Sequence, residues 1–391
     1  MNTDKLMNMT IRILAAALAG PQRAAGTGTF SHSTPQWRGP DRSECYDEKA
    51  LKTCANINRR LSAMRVLLLV GVLLTWPGHR ASRADVAAVA PPPVAVLEQG
   101  DLRVHVLLPD AEHGYYRDTR FDWSGLVGLV EWRGHTFFGG TGSKGPGYSL
   151  GTSDEYKDVL PVLGGPDGTN EIERIRIGVG VLTPLVVAAG KGNQVRWKLA
   201  EPFPWEIRRG TNFVEFSQIV THGPWGYELS KRIELTTGAD GFTIARRLKN
   251  TGEKTIASMN YCHNWLRIDN EYVGSQYRLI LPFQPVAEGG FRNRDKVSVE
   301  AVDDGYRLRF ERTLWAELGA RTEARDNAAR VVNTNTGASV QLTGDWVPDA
   351  FNLYAQPGEV CPEPFLRLAL PPGAQRDWKS SYRFAAKPQE K

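Results

Sequence analysis

From Leu102 onward the chain alternates apolar and polar residues with a period of two, and no other feature of the sequence constrains its fold as tightly. "LRVHVLLP" (102–109), "LVGLVEWRG" (126–134), "IRIGVGVL" (175–182), "FVEFSQIV" (213–220), "YELSKRIELTT" (227–237) and "FTIARRLKN" (242–250) all carry the pattern. "YRLILPF", "KVSVEAV", "YRLRFE", "ASVQLTGDW", "FLRLALPPG" and "SYRFAA" extend it to the C-terminal end. Successive strand side chains point to opposite faces, so this period buries one face only when the segment lies in a sheet. Turn signals such as "TGADG", "NTGEK" and "NTNTGAS" separate the runs at short intervals. The pattern predicts an all-β protein built of large antiparallel sheets, bigger than a seven-strand sandwich. Leu314–Arg330 breaks the rule with helical composition around an interior Gly, and a short helix or loop is expected there.

The N-terminal quarter reads differently. Met64 opens "MRVLLLVGVLLTWPGHRASRADVAA", in which Arg65 precedes an apolar core over Val66–Trp76 and then the small-residue pattern Ser82-Arg83-Ala84. Eleven apolar residues are too few to span a bilayer, and the arrangement is that of a secretory signal over 64–84. Residues 1–63 are then expected to be an upstream mis-start or a disordered extension. Residues 85–101, with "APPPVAV", read as an extended linker into a domain at 102–386. Export to the outside of the cell or the periplasm follows from the signal. Removing residues 1–84 turns the formal charge of +5 into a near balance, 36 Lys/Arg against 38 Asp/Glu. A balanced domain argues against nucleic acid or an anionic membrane as partner. Of four cysteines, Cys262 and Cys361 remain, too few for a disulfide scaffold or a structural zinc site. Neighbouring strand residues alternate faces, so both are expected as reduced, mostly buried thiols.

Few residues carry chemistry. The five remaining histidines are scattered without HExxH, HxH or CxxC, so no metal is indicated. There is no P-loop, GxSxG or GxGxxG, and no cofactor is expected. Two positions stand out. His263 lies in "SMNYCHNWLRIDN" (258–270), among apolar neighbours on one parity while Asn260, Cys262 and Asn264 share the other. Glu363 is held between two prolines in "GEVCPEPFLRLALPPGAQRDW", and two missing backbone donors argue against a central ladder there. A stiff backbone presenting a carboxylate suits either a solvated turn or a positioned base. A His and a Glu suffice for proton transfer. Eleven Trp and twelve Tyr in the chain add a further signal. Those in turn-rich stretches, Trp225 and Tyr227 in "HGPWGYEL" among them, suit either core packing or contact with the faces of a sugar.

The C-terminal "VCPEP…LRLALPPGAQRDW" resembles the ending "C-x-E-P…L-x-PG-E-x-W" of the aldose 1-epimerase and hexose-phosphate mutarotase superfamily. "YCHNWLRIDN" is similar to that superfamily's histidine strand, with Trp265 at the first aromatic place. "GYELSKRIEL" followed by "LKNTGEKTI" is similar to the strand and turn that introduce it. The elements keep their order over roughly 102–384. The resemblance implies a β-supersandwich in which Glu363 takes the proton of an anomeric hydroxyl and His263 protonates the ring oxygen. It also implies an arginine on the sugar hydroxyls, at Arg120 or, second, Arg117 of "YYRDTRFDW". The superfamily's further histidine has no counterpart in "LGGPDGTNEIERIRIGVG" (163–180), where Asn170 or Glu171 could bind hydroxyls; Asn264 joins this set. The ligand implied is a mono- or oligosaccharide. A non-catalytic sugar-binding protein on the same scaffold, or a polysaccharide lyase-like enzyme, are the competing readings.

Overall fold

The computed structural model describes residues 91–138, 151–164, 170–189, 192–292 and 296–386. Their strands form four antiparallel sheets. The largest has ten strands in the spatial order Glu206–Arg209, Phe213–His222, Trp225–Leu235, Gly241–Asn250, Gln375–Ala386, Ala338–Gly344, Ala328–Asn333, Tyr277–Leu281, Gly305–Arg309 and Ser298–Val302. A five-stranded sheet runs Leu314–Glu317, Ala350–Gln356, Glu359–Leu370, Ile256–Asn264 and Thr152–Tyr156. Two four-stranded sheets are formed by Val94–Gln99, Leu102–Leu107, Leu126–Trp132 and His135–Phe138, and by Leu160–Gly164, Asn170–Arg176, Gly180–Ala189 and Gly192–Pro202. The all-β expectation is met. No helix among the described residues is long and apolar enough to cross a membrane.

The alternation does the packing. Val214, Ile244, Val331 and Val340 of the ten-stranded sheet share one core with Val104 and Val127 of a four-stranded sheet and with Leu353 and Val360 of the five-stranded one. A second core joins Leu229, Leu248 and Trp378 to Tyr156, Leu366 and Leu368. The five-stranded sheet therefore has an inner face against the ten-stranded sheet and an outer face away from it.

Three local readings change. The stretch 175–182 is a hairpin, because Ile177–Val179 turn between Asn170–Arg176 and Gly180–Ala189. Gly178 sits there at φ +76°, and a Cβ on it would fall 2.7 Å from the buried Asp122 carboxyl, so only glycine fits. Leu314–Arg330 supplies a strand, Leu314–Glu317, and one 3-10 turn, Ala324–Asp326. Leu314 and Ala316 are buried on alternate positions against Ala350–Gln356, and that packing outweighs helical propensity. Within the expected linker, Val94–Gln99 pairs with Leu102–Leu107 and buries Ala95 and Leu97. Residues 1–84, with the expected signal, lie outside the described residues.

Candidate active site

Glu359–Leu370 passes through Pro362 and Pro364 as the middle strand of the five-stranded sheet, contrary to what two prolines predict. The register shows how this is possible. Against Ile256–Asn264, pairing runs from Ile256↔Leu370 to Tyr261↔Phe365, stops, and resumes at Leu266↔Val360 in the same frame. The interruption covers the two prolines, which would stand opposite Asn264 and Cys262. Backbone groups of a strand point alternately to its two neighbours, and Val360 exchanges both its hydrogen bonds with Leu266. Residues 362 and 364 share that direction, so the missing donors fall in the gap and no ladder bond is lost. On the other side Cys361 and Glu363 stay paired with Tyr354 and Asn352. Asn264 fills the gap: its Nδ2 donates to Pro362 O at 2.9 Å and to Cys262 O at 3.1 Å, and its Oδ1 accepts from the Tyr382 hydroxyl at 2.7 Å.

The same register sets His263 directly across from Glu363. Their positions alternate with those that exchange backbone bonds, and side chains of such pairs stand closest. His263 Nδ1 lies 2.8 Å from Glu363 Oε1, with only 9% and 5% of the two side chains exposed. Neither atom is aligned for a hydrogen bond with any partner in the protein. Burying polar atoms is costly unless they are paired, and each of these two atoms has only the other at close range.

Aromatic rings wall the histidine. Trp265 stacks on it with centroids 4.1 Å apart, Phe121 and Tyr354 meet it edge-on at 5.9 Å, and Tyr261 lies at 6.0 Å. Phe365 stacks on Tyr261 in turn. Arg120 approaches beside them, its guanidinium 4.6 Å from the Phe121 ring centroid. It donates to Glu155 Oε2 at 2.8 Å and to the Tyr261 hydroxyl at 3.0 Å, while half its side chain stays exposed. Tyr261 donates to Glu155 Oε2 at 2.5 Å, and Arg176 stands 3.8 Å from the same carboxylate. Burial works to raise the Glu155 pKa, but Arg120 and the Tyr261 hydroxyl outweigh it and hold the carboxyl below its usual range. Glu155 is therefore an ionised anchor that fixes the arginine.

The inner face of the same strands is a different environment. Asp154, opposite Cys262 in the register, takes Arg246 through two bonds of 2.7 and 2.9 Å and Lys231 at 2.6 Å. Lys231 also reaches Asp122 at 2.9 Å, and all four side chains are 1% exposed or less. Burial pushes Asp122 up, and it also works to raise Asp154. There Arg246 and Lys231 prevail and hold the carboxyl down at about 2. Cys262 and Asn264 share this face, beside a cavity of about 20 Å³ that also touches Tyr382.

Of the residues singled out in the sequence, His263, Glu363 and Arg120 converge. Asn264 is turned to the inner face with its polar atoms committed. Trp225 is buried in the second core and donates to Pro161 O at 2.9 Å, and Tyr227 is buried with its hydroxyl on Gln218 at 2.7 Å. Glu171 pairs with Arg174 at 2.6 Å in another sheet, and the exposed Arg117 donates to Glu112 O. Glu155, Tyr261, Phe121 and Tyr354 went unread as site residues. Tyr261 shares the parity of His263 two positions away, which was a usable signal. Glu155 became visible only once its strand paired with the histidine strand.

The fold is all-β and sets a buried His–Glu pair on the outer face of its five-stranded sheet. No sequence model of a known family matches the chain, and no curated protein matches it. Solved structures do. A protein of Synechocystis sp. PCC 6803 is 12% identical, with 76% of this chain and 97% of that one covered at a TM-score of 0.47. A galactose mutarotase related enzyme of Lactobacillus acidophilus is 12% identical over 76% and 99%, at 0.45. A galactose mutarotase-like protein of Lactobacillus casei ATCC 334 is 11% identical over 75% and 100%, at 0.44.

Proposed function

We propose that the chain is a carbohydrate-active protein of the aldose 1-epimerase type, opening and reclosing the ring of a free sugar. The observation that carries this is the buried pair His263–Glu363, 2.8 Å apart and without hydrogen-bond partners in the protein. An anomeric carbon bears two oxygens, the hydroxyl and the ring oxygen, and two adjacent proton-transfer groups can address both at once. Glu363, as the carboxylate, removes the hydroxyl proton; the C–O bond to the ring oxygen breaks as the carbonyl forms, and protonated His263 gives its proton to the leaving ring oxygen. The aldehyde end rotates. The steps then reverse on its other face, so Glu363 returns its proton and His263 regains its own. Arg120 stands ready for sugar hydroxyls, and Trp265 with Phe121 supplies apolar faces.

The reading is tested by following freshly dissolved α-aldoses to anomeric equilibrium by NMR. Acceleration over buffer is expected for at least one free aldose. Binding without acceleration would instead support a sugar-binding protein. We further infer export, since Met64 opens a signal-like segment; N-terminal sequencing of exported protein should begin near Asp85, and finding residues 1–63 attached would contradict it.

A further inference from the structure

We propose that His263, Cys361 and Glu363 form a three-ligand site for a zinc-class divalent ion, with a fourth position left open. In sequence the three show no metal-binding spacing, because two come from one strand and the third from its neighbour. In the fold Cys361 and Glu363 are two residues apart on one strand and point to the same face, and His263 stands across from Glu363. One ligand atom from each lies within 4.8 Å of the others, and all three residues are buried. His263 Nδ1 and Glu363 Oε1 are buried 2.8 Å apart, and neither has an aligned hydrogen bond from any other group of the protein.

The donor set selects the metal. One imidazole nitrogen, one sulfur and one carboxylate oxygen are the ligand types of zinc, whose catalytic sites take three protein ligands and leave one position open. Magnesium and calcium prefer oxygen alone, which a thiol at this place would not offer. Bonds of about 2.0–2.3 Å in a tetrahedron ask for ligand atoms a little over 3 Å apart. His263 and Glu363, 2.8 Å apart, need move apart by only a few tenths of an ångström, while the widest separation in the set, within 4.8 Å, must close by about 1 Å as the Cys361 side chain turns toward the ion. Binding replaces the Cys361 S–H bond by a sulfur–metal bond and releases the proton to solvent. Bound metal would occupy both groups assigned to proton transfer, so zinc would inhibit the activity proposed above. The metal site itself does not depend on that activity.

Cobalt(II) is the probe, because a thiolate ligand gives it a charge-transfer band in the near ultraviolet and a tetrahedral site gives intense visible bands. The full chain is titrated in the background Cys45→Ser, Cys54→Ser, Cys262→Ser, which leaves Cys361 as its one thiol. One equivalent should produce both signatures, zinc should displace them, and His263→Asn should weaken binding by about 10-fold or more. Adding Cys361→Ser should abolish the charge-transfer band while circular dichroism stays that of the parent. Absence of the band in the parent, or its persistence in folded Cys361→Ser, would overturn the proposal. If Cys361→Ser does not fold, an undiminished affinity in His263→Asn would overturn it equally. These spectra need no sugar, and ring opening is measured after chelator treatment, so either reading can fail alone.

Discussion

Burial pushes the Cys262 thiol up to about 12, and the Asp154 carboxylate adds to the push. A raised folded pKa contributes stability that is complete below the thiol's ordinary value of 9.0 and is lost as pH rises toward 12. Both Cys262 and Cys361 are free and buried, on opposite faces of the sheet. At pH 8 iodoacetamide should therefore leave both peptides unmodified in the native protein and label both in urea, read by mass mapping. Native labelling of either would mean that its side chain reaches solvent. That His263 and Glu363 meet was legible in part: His263 stands among apolar neighbours on its parity and Glu363 between two prolines, and the fold sets them across from one another. Trp225, Tyr227 and Asn264 looked alike in type but are spent on packing and hydrogen bonds. Residue type alone does not say which face of which sheet a side chain will meet.

The interrupted ladder between Ile256–Asn264 and Glu359–Leu370 is the element that makes the site. Two prolines two positions apart remove donors on one edge of the strand only, and Asn264 caps the opening. Asn264→Ala would leave Pro362 O and the Tyr382 hydroxyl without this partner in a buried place. A loss of about 1–3 kcal/mol is expected, measured as a lower urea midpoint. An unchanged midpoint would show that the gap closes without it. The sequence signalled that the strand is irregular but pointed to an edge. What it could not carry was the coincidence of the prolines with a gap in the partner's ladder, since that depends on the register of two strands about a hundred residues apart.

On the scale of the molecule, the five-stranded sheet is fastened to the ten-stranded one by the buried group Asp122, Asp154, Lys231 and Arg246. The two charges of each sign balance, so removing one leaves an uncompensated charge in the interior. Arg246→Met should cost about 3–5 kcal/mol in urea unfolding. The pH dependence has a definite sign. Asp154 is held at about 2 against an ordinary 3.8, so its contribution is complete above 3.8 and disappears as pH falls toward 2. Asp122, raised by burial, works in the opposite sense. Arg246→Met, which removes the bidentate partner of Asp154 alone, should therefore flatten the loss of stability between pH 4 and pH 2. An identical slope in parent and variant would assign the acid sensitivity to other carboxylates. Alternation over nearly 300 residues made this all-β architecture readable in advance, whereas the charged group was hidden, because its members are far apart in sequence and look like ordinary strand polar positions.

If His263 and Glu363 move the protons of ring opening, the rate of anomeric equilibration must fall in Glu363→Gln and in His263→Asn. Glutamine keeps the shape of Glu363 but cannot accept the anomeric proton, and asparagine at 263 cannot supply one to the ring oxygen. Each variant is expected to lose about 100- to 10,000-fold in rate by polarimetry while sugar binding weakens only mildly. If the parent accelerates equilibration and both variants keep its rate, the assignment of these two residues is contradicted.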